Sequence, residues 1–327
     1  MRAVGLTDFG GPDVLRVVEL PEPHAGYGEI RIQVRAAAVS PADTLLRAGA
    51  LAWALRDAPG PYVPGMDVAG VVDEIGPGTV TDLAPGDPVM AMVLPVVPRP
   101  DGGLDYNGGG YAEHVVLAAD AVTRAPRGLD HAAAATLPMN GLTALLTLDQ
   151  LALAPGSTLA VTGAAGAVGG YVVQMAAAAG VIVIADAAPS DEALVRKSGA
   201  TEIVARGDDV ARRIRDLHPG GVDAVVDAAL VGPQVVDAVR DGGSLVLLRG
   251  NGEPGAYAAT AGRGITVRNP FVPDYAGRPD RLAELRRLTE NGVLLPHVAR
   301  TFTPAEAPDA HRLLEAGGIR GRLVITL

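Results

Sequence analysis

The sequence predicts an α/β fold in two parts. A β-rich domain runs over residues 1–124 and a doubly wound parallel sheet over 125–255, with a looser segment at 256–327. Three observations carry this. Up to about Arg124, short alternating apolar runs are broken by Gly and Pro turn signals, as in a compact β domain. From Leu129 onward, apolar strands alternate with helical stretches, the order that lays down a parallel sheet covered on both faces. Hydrophobic residues make up 48% of the 327, yet aromatics only 3%, so Ala, Val, Leu and Gly must fill the interior, as is usual in α/β proteins.

Each element follows from local pattern. Residues 30–36 alternate apolar and polar, as a half-buried strand does. Residues 68–75 form a second extended run, ended by Gly76-Pro77-Gly78, and Pro85-Gly86-Asp87-Pro88 turns the chain into a third at 89–93. In the second half, strands are expected at 159–161, 181–185, 202–204, 222–226 and 244–248. Helices are expected between them at 167–179, 191–198, 208–217 and 233–240. Helices at 279–291 and 304–315 then precede a last strand at 322–327.

Charge and composition exclude several function classes. A net charge of −10 with no basic run argues against nucleic acid and anionic membrane surfaces as partners. The absence of cysteine excludes disulfides and thiolate metal sites. No apolar run reaches the roughly 18 residues of a membrane helix, and the first residues lack a signal-peptide stretch, so a soluble, cytoplasmic protein is expected.

The strongest local signal is Leu159-Ala-Val-Thr-Gly-Ala-Ala-Gly-Ala-Val-Gly-Gly170. Gly163, Gly166 and Gly169 fall where a buried strand hands over to a helix. A backbone without Cβ lets a phosphate approach, and the free N–H groups and positive dipole end of the helix attract it. Gly163, Ala165, Gly166, Ala167, Val168 and Gly169 are therefore candidate dinucleotide contacts. The spacing is GxxGxxG rather than GxGxxG, and a tight strand–helix turn that merely packs closely is the bland alternative. Asp186 ends the second strand about 20 residues on, where a carboxylate suits a ribose 2′-hydroxyl and NADH. Arg196, Lys197 and Arg206, nearby in sequence, offer positive charge that suits a 2′-phosphate and NADPH, with a solvated helix face as the bland reading of Arg196 and Lys197.

Seven stretches, taken together and in order, resemble the medium-chain dehydrogenase/reductase superfamily. They are Ser40-Pro-Ala-Asp-Thr44, Pro64-Gly-Met-Asp-Val-Ala-Gly-Val-Val72, Gly86-Asp-Pro-Val89, Gly110-Tyr-Ala-Glu113, Leu137-Pro-Met-Asn-Gly-Leu-Thr143, the glycine turn and Ala310-His-Arg-Leu-Leu314. The nearer likeness is to its zinc-independent quinone oxidoreductase branch, related to zeta-crystallin. The resemblance implies a GroES-like catalytic domain partly rebuilt from C-terminal residues, a Rossmann domain, an active site in the cleft between them, and a homodimer. It also implies NADPH, with NADH as the alternative. The chain departs from the family pattern at Ser40, where Asn is common, and at Leu45, near which many members carry Tyr. It departs again at Arg206, where many members carry Tyr.

The resemblance sets Ser40 and Asp43 near the nicotinamide. The same residues also read as a helix start, with Ser40 as N-cap and Asp43 closing a capping box. Thr44 is a hydrogen-bond donor to substrate or to a helix carbonyl. Tyr62 and Tyr111 are candidate proton donors, with ordinary packing as the other reading. Asn140, Thr143, Arg249 and Asn251 stand where family members approach the nicotinamide half, and Arg322 where some approach a phosphate.

No metal is expected. Zinc members use Cys together with His in a Gly-His-Glu sequence, and this chain reads Gly65-Met66-Asp67 there, with its six histidines scattered. Without a Lewis acid, reduction of a quinone or enone by reduced nicotinamide is the reaction to expect. An enoyl thioester reductase and a non-catalytic NADPH-binding protein are the alternatives.

Overall fold

The computed structural model describes residues 1–53, 55, 58, 60–99, 103–248 and 255–327. They form two compact units. The first comprises Met1–Met139, Tyr275–Asn291 and Pro296–Leu327, the second Asn140–Asp274 and Gly292–Leu295. The first seam therefore lies beyond residue 124, because the helix His131–Ala134 packs on strands of the first unit. The second lies beyond 255, because residues past it supply a further strand of the parallel sheet.

The first unit is built on a seven-stranded sheet. Its order is Val298–Phe302, Arg322–Thr326, Glu29–Ala38, Asp67–Ile75, Pro88–Met92 and Val122–Arg124, and His114–Ala118 pairs with the first half of Glu29–Ala38. The expected alternation holds: Ile30, Ile32 and Val34 are buried, while Arg31 and Gln33 are only partly covered. Each such aliphatic side chain contributes about 1.5–3 kcal/mol on burial. The C-terminal strand enters antiparallel beside Ala36–Ala38, so chain ends far apart in sequence share one sheet. The strand Val298–Phe302 was not anticipated.

The second unit is a six-stranded, all-parallel sheet. Its order is Glu202–Ala205, Ile182–Ala187, Thr158–Thr162, Val222–Asp227, Val239–Leu247 and Thr266–Arg268. Numbered along the chain this is 3-2-1-4-5-6, the doubly wound dinucleotide-binding order. Helices Ala167–Ala178, Glu192–Lys197 and Val210–Leu217 connect the first strands. The helix expected at 233–240 is instead a 3-10 turn, Pro233–Ala238. The chain enters the sheet at Val239, paired with Val222, and a register shift follows before Ser244 pairs with Ala224. The three-residue sixth strand is too short to leave a periodic signature. Among the described residues, no helix is long and apolar enough to cross a membrane.

Candidate functional site

The glycine turn lies where sequence places it. Thr158–Thr162 ends, Gly163 takes φ +67°, and the helix Ala167–Ala178 starts from Gly166 with no side chain capping it. Its first N–H groups therefore face outward as anion donors. A Cβ on Gly169 would lie 2.3 Å from the Gly163 carbonyl oxygen, so only glycine lets helix and turn close this far. These features fit a dinucleotide pyrophosphate. Ala165, Ala167 and Val168 line the same turn, partly covered.

Asp186 is buried at the end of its strand, and its Oδ1 accepts the Ala164 amide at 3.2 Å. Burial pushes its carboxyl above the usual range, opposed by the Ala164 and Gly163 amides and by Arg206. Arg206 is exposed. Asn140 is buried and Thr143 partly so, both in the helix Pro138–Leu151. Arg249 and Asn251 lie outside the described residues.

The first unit gathers Ser40, Asp43 and Tyr111 into one buried polar chain. Helix Pro41–Ala48 starts at Ser40, and Asp43 Oδ2 accepts the Ser40 amide at 2.8 Å, the return half of a capping box. Asp43 Oδ1 takes the Gly65 amide at 2.9 Å, and the Tyr111 hydroxyl donates to Oδ2 at 3.0 Å. Tyr111 Oη lies 3.3 Å from His311 Nε2, and Arg47 Nη1 lies 3.4 Å from His311 Nδ1. Guanidinium can only donate, so Nδ1 accepts and the ring proton sits on Nε2, facing Tyr111. Arg47 in turn donates to Glu315 Oε1 at 2.5 Å. The sense is uniform: Arg47 to His311 to Tyr111 to Asp43.

Burial sets the ionisation of these groups. It raises Asp43 to about 6, against the lowering effect of its amide and Tyr111 bonds. It lowers His311 to about 3, with Arg47 adding to the effect. Tyr111 is pushed well above its ordinary value by burial and by Asp43.

Several candidate roles change here. Tyr111 is fully buried and tied to Asp43, so it is not a phenol free to protonate substrate. Tyr62 donates to the carbonyls of Leu55 and Ala58 at 2.9 and 3.1 Å and stacks on Phe9, which pins the chain after helix Pro41–Ala48. Thr44 donates to Pro41 O at 2.8 Å, the helix-carbonyl alternative. The Ser40 hydroxyl stands in the cap position without closing a bond of proper geometry and is buried without a partner among the described residues.

Arg322 turns inward. It is 5% exposed and donates to Asp67 Oδ2 at 2.7 Å and to Val39 O at 3.2 Å, because its strand runs inside the sheet. Asp67 Oδ1 also takes the Met139 amide at 2.5 Å. Burial raises Asp67, and Arg322 opposes it. The two groups are thus occupied with each other. Sequence reasoning also left His311, Arg47, Thr162 and Asp227 without roles. Only the Ala310-His311-Arg312 stretch carried any signal for them.

Among the described residues, no group of three or more His, Cys, Asp or Glu side chains could hold a metal ion.

A parallel sheet with a bare glycine turn at the head of an uncapped helix, in one chain with a β unit of this topology, defines a dinucleotide-dependent oxidoreductase. Family models agree. One described as alcohol dehydrogenase GroES-like domain matches residues 26–127, and one described as zinc-binding dehydrogenase matches residues 198–325. The chain is 31% identical over 334 residues to a quinone oxidoreductase of Pseudomonas aeruginosa, across 97% of each chain. It is also 31% identical over 333 residues to a chloroplastic NADPH-dependent alkenal/one oxidoreductase of Arabidopsis thaliana, covering 99% of this chain and 79% of that one. A solved structure of an NAD-dependent alcohol dehydrogenase superposes with TM-score 0.87 at 31% identity, covering 100% of both chains. The chain belongs to the medium-chain dehydrogenase/reductase superfamily, among its quinone-oxidoreductase-like members.

Proposed function

We propose that this enzyme reduces quinones or α,β-unsaturated carbonyls with a reduced nicotinamide dinucleotide and without zinc. The carrying observation is the glycine turn at the head of an uncapped helix in a 3-2-1-4-5-6 sheet. The relatives named for quinone and alkenal/one reduction support the acceptor class. Zinc independence rests on donor chemistry. The chain has no cysteine, Met66 follows Gly65 where zinc members carry His, and the Asp67 carboxylate is taken up by Arg322 and the Met139 amide.

In this reading the bound dinucleotide supplies hydride. The amides at the start of helix Ala167–Ala178 hold its pyrophosphate, and Asn140 and Thr143 approach its nicotinamide half. The chain from Arg47 to Asp43 holds the start of helix Pro41–Ala48, where Asp43 receives the Ser40 and Gly65 amides. Solvent returns the proton.

We assign NADPH as the preferred coenzyme. Asp186 has an oxygen engaged by the Ala164 amide, while the exposed Arg206 lies close enough to act on Asp186 electrostatically. The reading extends to a cytoplasmic homodimer acting on small molecules. The strand Thr266–Arg268 ends the parallel sheet and offers an edge for such pairing.

The test is purified protein with NADPH against a panel of quinones, enones and enoyl thioesters, followed by loss of reduced-nicotinamide absorbance with and without chelator. Turnover on quinones or enones, insensitive to chelator, is expected. Tight NADPH binding with no turnover on any acceptor would overturn the reading.

A further inference from the structure

The parallel sheet reverses its order between Thr158–Thr162 and Val222–Asp227, the point at which doubly wound sheets open a ligand crevice. The last residues of these strands, Thr162 and Asp227, are partners in the ladder. They are 1% and 2% exposed, so neither presents a surface to a ligand. Thr162 Oγ1 donates to Asp227 Oδ1 at 2.7 Å. The same carboxylate accepts the amides of Val231 at 3.0 Å and Gly232 at 3.0 Å, and Thr162 Oγ1 accepts the Ala229 amide at 3.2 Å.

These bonds shape the loop after Asp227. Leu230 is 50% exposed and held at φ +58°, a conformation that costs a non-glycine residue free energy. Ala228 lies against the glycine turn: a Cβ on Gly163 would be 3.0 Å from the Ala228 carbonyl carbon. The other side of the turn is held by Asp186 through the Ala164 amide. The turn is therefore clamped between two strand-end carboxylates, and the Asp227 side also fixes a strained loop.

We propose that Thr162 and Asp227 are positioning residues for the dinucleotide. They touch no ligand, and their hydrogen bonds hold the loop 228–232 back from the crevice and hold the glycine turn in its binding geometry. This rests on the reading of the turn as the coenzyme site. Thr162→Val keeps shape and removes the hydroxyl, which leaves the Ala229 amide and one carboxylate bond without a partner. Thr162→Ser keeps the hydroxyl.

The experiment is titration of wild type, Thr162→Val and Thr162→Ser with NADPH by calorimetry, with steady-state kinetics alongside. The expected result is a Kd about tenfold higher for Thr162→Val, recovery to within about twofold in Thr162→Ser, and a raised KM for NADPH with kcat and acceptor KM little changed. Equal binding by Thr162→Val and wild type overturns the inference alone, as does equal weakening in both variants. Wild-type protein that binds neither NADPH nor NADH overturns the coenzyme site and this inference with it. Should Thr162→Val fail to fold, hydrogen exchange of the wild type decides. Protected amides at Val231 and Gly232 that slow further with NADPH support the clamp, and exchange at unfolded-chain rates overturns it.

Discussion

Two adjacent glycines should respond in opposite ways to the same substitution. In Gly169→Ala the new Cβ would lie 2.3 Å from the Gly163 oxygen, 2.9 Å from its carbonyl carbon and 3.2 Å from Ala164 Cα. All three are backbone atoms, so relief requires roughly 1 Å of movement between helix and turn. Such overpacking costs about 1–3 kcal/mol, only partly offset by the ~0.5–1 kcal/mol that Ala gains over Gly inside a helix. The moved atoms are those that would hold the pyrophosphate, so the Kd for NADPH should rise by about tenfold or more. In Gly170→Ala the nearest atom is the Ala164 oxygen at 3.5 Å, an ordinary contact. Here the helix gain stands alone, and Tm should rise slightly with Kd unchanged. Thermal unfolding and calorimetric titration of both variants provide the assay. Wild-type Tm and Kd in Gly169→Ala, or equal damage in both variants, would refute the reasoning.

Other outcomes follow from the buried polar groups. His311 is held neutral, so its contribution is present above its usual 6.5 and is lost as pH falls toward 3. Asp43 works the other way: raised to about 6, it stabilises below 3.8 and loses that contribution as pH rises through about 6. The two oppose each other between about pH 4 and 6. In His311→Gln, stability relative to wild type should therefore rise by about 1.4 kcal/mol per pH unit on acidification from 6.5 to 4.5. Parallel urea-unfolding curves across that range would refute it. Arg322→Met leaves Asp67 buried and uncompensated, at a cost of about 3–5 kcal/mol, partly recovered by adding Asp67→Asn. A urea midpoint unchanged in the single variant counts against that. Arg206→Ala should raise the KM for NADPH severalfold and spare NADH, and equal changes for both would remove Arg206 from coenzyme choice.

The parts of this protein legible in its sequence are those made by neighbours in the chain. The turn at Gly163, Gly166 and Gly169 was readable because strand, glycines and helix are consecutive. The alternation at Ile30, Ile32 and Val34 was readable because a half-buried strand writes its period locally. The strands Val298–Phe302 and Thr266–Arg268 were missed because short strands carry no period of their own and take their place from the sheet they join.

Side-chain partnerships were beyond the sequence. Tyr111 and His311 are 200 residues apart, Arg47 and His311 are 264 apart, and Thr162 and Asp227 are 65 apart. Nothing local distinguishes an Arg322 that reaches a phosphate from one that turns inward to Asp67, 255 residues away. Sequence by itself determined the alternation of the longer strands and helices and where a bare backbone meets a helix end, since these depend on sterics and periodicity within a few residues. Only the tertiary structure decided which polar groups lose water together. Desolvation depends on everything packed around a group, and it is desolvation that ties Tyr111 to Asp43 and Arg322 to Asp67.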